Sequence, residues 1–270
     1  MAEINADKVK IGELFNDPLQ FSIPNFQRPP SWEKDNFDKL FEDIYDAFYA
    51  KQEEYFLGSI ILKGEDNRYE IIDGQQRLTA LAILLAVVRD ETPDTSLKEE
   101  IQSSLYTKEV KIKRTPSVPR IKMWEDLSQL EDFIYVPGKT REYLKKVEED
   151  RSFYKDKHDP KYLLYQAIDL YVQKYEEKLQ NDDRAFIGYL FNNAYVVQIS
   201  TKSLPYAIQL FNVLNTRGLP LTTADILKAV NLGVIDEEKR ERWAKRWREI
   251  ENTIGREEIE RVIEFIRTLK

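Results

Sequence analysis

The chain has 270 residues, no cysteine and one histidine, and its 48 acidic residues outnumber its 41 basic residues to give a net charge of −7. This composition excludes a disulfide scaffold, a cysteine nucleophile, a cysteine zinc site and any metal centre that needs two histidines. The hydrophobic fraction of 42% is enough for a folded core. The negative net charge confines any nucleic-acid contact to a local patch.

The first 92 residues are predicted to mix strands and helices. Prolines keep Phe21–Pro24 extended, and apolar residues at helical spacing predict an amphipathic helix over Asp35–Tyr49. The stretches Tyr55–Leu62 and Tyr69–Ile72 are β-branched and aromatic and predict a hairpin. Because Gln75–Arg89 is apolar on nearly all sides, it predicts a buried helix.

The remainder is predicted to be mainly helical, with one strand at Tyr195–Ile199 and an irregular segment over 108–122. Helices are expected at about 139–150, 160–180, 183–193, 204–214 and 222–232, with one or two more after residue 236. The fold class is therefore α+β, with a core at 1–92 and a helical region at 93–270 that completes the domain. The helical pattern still runs at Lys270 without a cap, so we expect a fragment of a longer polypeptide.

The strongest functional signal is the turn between the second hairpin strand and the buried helix, which reads Asp73-Gly74-Gln75-Gln76-Arg77. A helix N-terminus offers free N–H groups to an anion, and Gly74 lets backbone approach a ligand closely. The Arg77 side chain can add a bidentate contact to phosphate, and Asp73 can hold Mg²⁺ or orient Arg77. Asp-Gly alone is a common structural turn, but a buried helix rarely begins with three long polar side chains.

A second polar cluster, Gln27 and Arg28, lies between Pro24 and Pro29. The stiff backbone around these prolines would preorganise both side chains for binding. The plainer alternative is a solvent-facing loop anchored by neighbouring aromatic residues.

Four blocks of sequence, in this order, resemble one family. The N-terminal "DGQQR" domain of GmrSD-type, modification-dependent restriction endonucleases and related phage-defence proteins is similar to this chain over about residues 20–230. The matching blocks are IPNFQRPPSW at 23–32, FLGSI at 56–60, DGQQRLT at 73–79, and FNVLNTRGLPL at 211–221 followed by ADILK at 224–228.

The resemblance implies a ParB/sulfiredoxin-like core that binds and hydrolyses a nucleoside triphosphate with Mg²⁺, coupled to restriction of foreign, often modified, DNA. Asp73, Gln75, Gln76 and Arg77 would then be catalytic, with Asp73 as the Mg²⁺ ligand. Phosphate or nucleotide contacts would come from Gly74, Arg77, Gln27, Arg28, Asn215, Arg217 and Lys228. Locally, a capping box from Thr222 to Asp225 explains the last block without any ligand, except for Asn215, Arg217 and Lys228.

The chain departs from the family pattern at Pro30, where an aromatic residue is usual, and this weakens the carry-over to Gln27 and Arg28. The nuclease of such systems is usually an HNH-type domain with a catalytic histidine. Because His158 stands in a charged loop, we expect the nuclease on a missing domain or a partner subunit. The alternative function is a DNA-binding module that does not hydrolyse nucleotide.

Basic residues concentrate in 108–122, where Lys111, Lys113, Arg114 and Arg120 are the predicted DNA contacts. The alternative is a lysine-protected strand edge. A formal PD…ExK nuclease pattern built on Asp94, Glu109 and Lys111 is short enough to arise by chance.

The chain begins without a signal peptide, and its longest apolar run is about half of the ~20 residues of a spanning helix. We therefore expect a cytoplasmic protein without membrane contact. Its expected partners are a nucleoside triphosphate, DNA and a nuclease, and the sequence allows a homo-oligomer without specifying one.

Overall fold

The computed structural model describes residues 4–16, 18–24, 26–27, 30–109, 116–214 and 222–268. The strands are β1 (Ile4–Lys10), β2 (Gln20–Ser22), β3 (Tyr55–Glu65), β4 (Arg68–Asp73), β5 (Ile121–Lys122) and β6 (Ala194–Thr201). The helices are α1 (Ile11–Leu14), α2 (Lys34–Tyr49), α3 (Gln75–Glu91), α4 (Thr95–Leu105), α5 (Glu131–Tyr135), α6 (Lys139–Glu149), α7 (Pro160–Lys174), α8 (Asp183–Asn192), α9 (Leu204–Leu214), α10 (Thr223–Val234), α11 (Glu237–Ile254) and α12 (Arg256–Thr268). A 3₁₀ helix at Glu125–Leu130 precedes α5, and a π-helical turn at Tyr175–Leu179 follows α7.

The six strands form one mixed sheet in the order β1-β6-β3-β4-β2-β5. Strand β6 comes from the region predicted to be mainly helical, and it lies between β1 and β3, antiparallel to β1 and parallel to β3. The two regions divided at residue 92 therefore share one sheet. The α+β class is confirmed.

Three parallel strands place the site. Strand β2 pairs in parallel with β4 and with β5, so Ser22, Asp73 and Lys122 all end strands at the same edge of the sheet. Strand β3 runs antiparallel to β4, and its early residues therefore lie at that edge as well. The segments that leave these strands converge there.

Helix α3 is the buried centre of the domain, as its sequence predicts. All side chains from Leu78 to Arg89 are buried, because α4 and α7 pack around this helix and its apolar side chains share one core cluster with Ile60, Leu62 and Ile71 of the sheet. On the opposite face of the sheet, Ile61 and Ile72 pack against Ala207 and Phe211 of α9. Both faces of β3 and β4 are therefore covered near the point where α3 begins.

Candidate functional site

The β4–α3 turn is held in one conformation by its glycine. Gly74 has φ of +93°, in the left-handed region, and a Cβ built on it would lie 2.6 Å from Cγ2 of Ile60. The first hydrogen bond within α3 runs from the Leu78 N–H to the Gly74 carbonyl at 3.0 Å. The N-terminus of a 17-residue helix therefore opens at the sheet edge, with the polarity that favours an anion.

The Arg77 side chain lies on the backbone of β3. Its Nη1 donates to the Ser59 carbonyl at 3.0 Å. Gly58 has φ of +101°, and a Cβ there would lie 3.0 Å from both terminal nitrogens of the guanidinium. The pairing of β3 with β6 is irregular between Phe56 and Ser59, so a bulge in β3 provides this platform.

Burial sets the electrostatics of Asp73 and Arg77. It raises the pKa of the Asp73 carboxyl, while the Gly74 N–H and the Arg77 charge oppose that rise. Burial likewise lowers the pKa of Arg77, and the charge of Asp73 opposes this. Each charge partly offsets the desolvation of the other, and a bound anion would favour the charged form of Arg77 further.

Gln27 belongs to the inside of the site. Its side chain is 6% exposed, and its Nε2 donates to the carbonyls of Ile72 at 2.7 Å and Ile71 at 3.4 Å. Its Oε1 accepts from Nε2 of Gln75 at 3.3 Å. The structure therefore connects Gln27 to the Asp73–Arg77 turn, although they are far apart in sequence. Both ends of the Gln27 amide bind protein groups at or next to the turn. The direct phosphate contact predicted for Gln27 stays a prediction.

Gln76 faces a different neighbourhood. Its Oε1 accepts from the Ser31 N–H at 3.4 Å, and with Thr79 and Met123 it lines a cavity of about 20 Å³. That volume suits one water molecule and excludes a nucleobase. The buried hydroxyl of Thr79 has no hydrogen-bond partner within the described part of the chain, and such a water would satisfy it.

The predicted binding residue Lys228 makes a structural contact instead. Lys228 is 3% exposed, and its Nζ pairs with Oε2 of Glu251 in α11 at 2.9 Å. The structure thus replaces the predicted nucleotide contact of Lys228 with an ion pair that joins two helices. The capping box from Thr222 to Asp225 is confirmed, with bonds of 3.0 and 3.2 Å.

Arg120 corrects the DNA-contact prediction at its position. It is 1% exposed, and its guanidinium donates to several backbone carbonyls, among them those of Ser104, Asn16 and Leu19. A buried arginine cannot reach a DNA phosphate, so its role is to join α4 to the start of β2. Arg28, Lys111, Lys113, Arg114, Asn215 and Arg217 lie outside the described residues.

The residues of the PD…ExK pattern are also placed in part. Asp94 is the N-cap of α4 and accepts from the Leu97 N–H at 3.1 Å. Its hydrogen bond with Arg184 lowers the pKa of Asp94 to about 2. A capping and ion-pair role therefore explains Asp94, and Lys111 lies outside the described residues.

Sequence reasoning assigned no role to Gly58, Ser59 or Trp124. Gly58 and Ser59 form the platform for Arg77, and the FLGSI block was the signal that could have found them. Trp124 follows β5 at the same sheet edge and is 5% exposed, and its Nε1 has no hydrogen-bond partner among the residues that the structure describes. No spacing or composition pattern pointed to Trp124.

The turn offers one carboxylate, that of Asp73, so it fits a metal ion that is also held by the phosphates of a bound nucleotide. Over the described residues, no group of three or more histidine and acidic side chains could hold a metal ion. Mg²⁺ is commonly bound by one or two carboxylates together with substrate phosphates. Asp73 could supply one such carboxylate, and a cation there would favour its ionised form despite burial.

Fold and site together define a mixed α/β domain in which a glycine turn joins a strand to a buried helix. The family model described as "GmrSD restriction endonuclease, N-terminal domain" matches residues 11–232. The chain belongs to this family, and it is therefore a module of a restriction system, that is, of phage defence. A comparison with curated proteins finds no match. None of the helices in the described ranges is long and apolar enough to cross a membrane.

Proposed function

We propose that this chain binds a nucleoside triphosphate at the Asp73–Arg77 turn and hydrolyses it with Mg²⁺, as the regulatory or specificity module of its restriction system. The observation that carries this proposal is the combination of a helix N-terminus at Gly74 with a partly buried arginine fixed beside it. The guanidinium makes one hydrogen bond to described residues, to the Ser59 carbonyl. In this proposal its other N–H groups donate to phosphate oxygens.

In this proposal the backbone of the first α3 turn and Arg77 hold the phosphates. The low exposure of the turn strengthens these contacts, because charge interactions grow where water is excluded. Asp73 would place the Mg²⁺ that accompanies the nucleotide, and Mg²⁺ would neutralise phosphate charge during transfer. Gln75 and Gln76 remain the candidate catalytic amides. Arg28, Asn215 and Arg217 stay predicted contacts on the basis of sequence.

The test is steady-state hydrolysis of the four common nucleoside triphosphates with and without Mg²⁺. Arg77→Ala should lower kcat/KM by at least about tenfold to 100-fold, the cost of a charged hydrogen bond of about 1.5–3 kcal/mol. The matched control is Arg68→Ala, since Arg68 is an exposed arginine at the opposite end of β4. If no nucleotide is hydrolysed or bound by the wild type, the proposal fails.

DNA and a nuclease are the proposed macromolecular partners. With Arg120 buried, the proposed DNA contact rests on Lys111, Lys113 and Arg114, a cationic cluster in a chain of net charge −7. If DNA binding rather than turnover is the main function, the triple alanine variant should weaken DNA binding and reduce its salt dependence by about three phosphate contacts. An unchanged salt slope would remove this second candidate.

A further inference from the structure

The orientation of the Gln27 side chain is fixed by what surrounds it. Its Nε2 faces two backbone carbonyls, of Ile71 and Ile72, and an amide oxygen in that place would face two other acceptors. The assignment of nitrogen and oxygen is therefore determined by the hydrogen bonds. The Oε1 atom of Gln27 must lie on the other side, where it meets Nε2 of Gln75 at 3.3 Å.

The contact with Gln27 also fixes the orientation of the Gln75 side-chain amide. Because Nε2 of Gln75 donates to Gln27, its Oε1 is turned away from Gln27. That oxygen is buried, and no described residue donates a hydrogen bond to it. A buried acceptor without a donor costs free energy, so the position favours the arrival of a donor.

The chemistry of the missing donor is restricted by location. Gln75 is the first residue of α3, directly after Gly74 at the turn proposed to hold phosphate. Phosphate oxygens are acceptors and cannot satisfy the oxygen of Gln75. A hydroxyl or a water molecule beside the terminal phosphoryl group can.

We propose that Oε1 of Gln75 accepts a hydrogen bond from the water that attacks the terminal phosphoryl group, and that Gln27 is the positioning residue that holds this amide. The inference rests on the proposed function. In the step, the water oxygen forms a bond to the terminal phosphorus while the bond from that phosphorus to the bridging oxygen breaks. The nucleoside diphosphate leaves with that electron pair, and the water proton passes to an oxygen of the released phosphate. Gln75 orients the water and takes up no proton.

A purely structural role for Gln27 makes a different prediction. With its backbone N–H bound to the Pro24 carbonyl at 2.9 Å and its side chain bound to β4, Gln27 would then affect folding stability and nucleotide affinity alike. As a positioning residue it affects turnover through Gln75 alone. The two roles separate in a comparison of kcat with the dissociation constant of a non-hydrolysable nucleotide.

The experiment uses Gln27→Met, Gln75→Met and the double variant, with Gln52→Met as the control at an exposed glutamine. Both single variants should lower kcat by about 100-fold, within the range for a group that assists proton transfer or orients a reactant. The dissociation constant of a non-hydrolysable triphosphate analogue should change less than about threefold. The double variant should match Gln75→Met, since Gln27 acts through Gln75.

Wild-type kcat in both single variants would overturn the inference, and so would a loss of affinity without a loss of kcat. Gln75 is only partly buried, so Gln75→Met carries the test even if Gln27→Met does not fold. A wild-type protein that binds no nucleotide would refute the proposed function itself. Hydrolysis by wild type and variants at equal rates would refute only the positioning role.

Discussion

Arg120 lies in a basic stretch of the sequence, but in the structure it is buried and bonded to backbone carbonyls. Its substitution tests whether it stabilises the fold or contacts DNA. Its guanidinium donates to the carbonyls of Ser104, Leu19 and Asn16 at 2.6, 2.7 and 2.8 Å, and also to those of Ser103 and Tyr106. The carbonyls from α4 are those that a helix C-terminus leaves without partners. Arg120 therefore caps α4 and joins it to the chain that enters β2.

The expected cost of Arg120→Met follows from these bonds. Three of them are well formed, and a hydrogen bond to a charged group contributes about 1.5 kcal/mol or more, so the free energy of unfolding should fall by about 4 kcal/mol. That is a large part of the 5–15 kcal/mol typical of a folded domain. A methionine of similar length fills the space but leaves the carbonyls without donors.

The assay is urea unfolding followed by tryptophan fluorescence. Lys122→Met is the matched control, because it removes the same charge from an exposed neighbour and should change stability by less than about 0.5 kcal/mol. A loss below about 1 kcal/mol for Arg120→Met would refute the capping role. DNA affinity lost by Arg120→Met at unchanged stability would reinstate Arg120 as a DNA contact.

Three further outcomes follow from other contacts. Gly74→Ala should lower the free energy of unfolding by about 2–4 kcal/mol, because the left-handed backbone and the close contact with Ile60 both oppose a Cβ there. The control Gly138→Ala, at a glycine with φ of +78° and open space around it, should cost only about 1 kcal/mol. Equal losses for the two variants in urea unfolding would contradict this. Burial raises the folded-state pKa of Asp73, so the folded state loses stability as pH rises above the unfolded-state pKa of 3.8. The difference in melting temperature between Asp73→Asn and the wild type should therefore increase in favour of the variant as pH rises. A difference that decreases with pH would refute the burial effect. Lys228→Met should lower the free energy of unfolding by about 3–5 kcal/mol, because it leaves the Glu251 charge without its partner. The double variant Lys228→Met/Glu251→Leu should lose much less. Additive losses in this double-mutant cycle would argue against the buried ion pair.

The elements with strong local patterns could be predicted from the sequence. The hairpin, the buried helix after Asp73 and the amphipathic helix that became α2 all show clear periodicity or β-branched composition. Strand β1 gave no such signal. Its residues Ile4–Lys10 are mostly polar and exposed, and they form a strand because β6 supplies the hydrogen-bond partners at the sheet edge.

The place of the candidate site in the fold could be predicted from the sequence, but the contacts within it could not. The turn residues Asp73–Arg77 stood out because polar side chains open an apolar helix. The contact between Gln27 and Gln75 depends on the parallel pairing of β2 with β4, which no local pattern encodes. The burial of Arg120 was equally hidden, because a run of cations does not show which of them meets backbone carbonyls.

The central claim is that the Asp73–Arg77 turn binds the phosphates of a nucleotide. The most direct measurement is calorimetric titration of a non-hydrolysable nucleoside triphosphate with Mg²⁺ into the wild type and into Arg77→Ala. We predict saturable binding by the wild type and a dissociation constant at least about tenfold higher in the variant, measured at a temperature where both proteins are folded. Equal affinity in the two proteins, or no binding by the wild type, would contradict the claim.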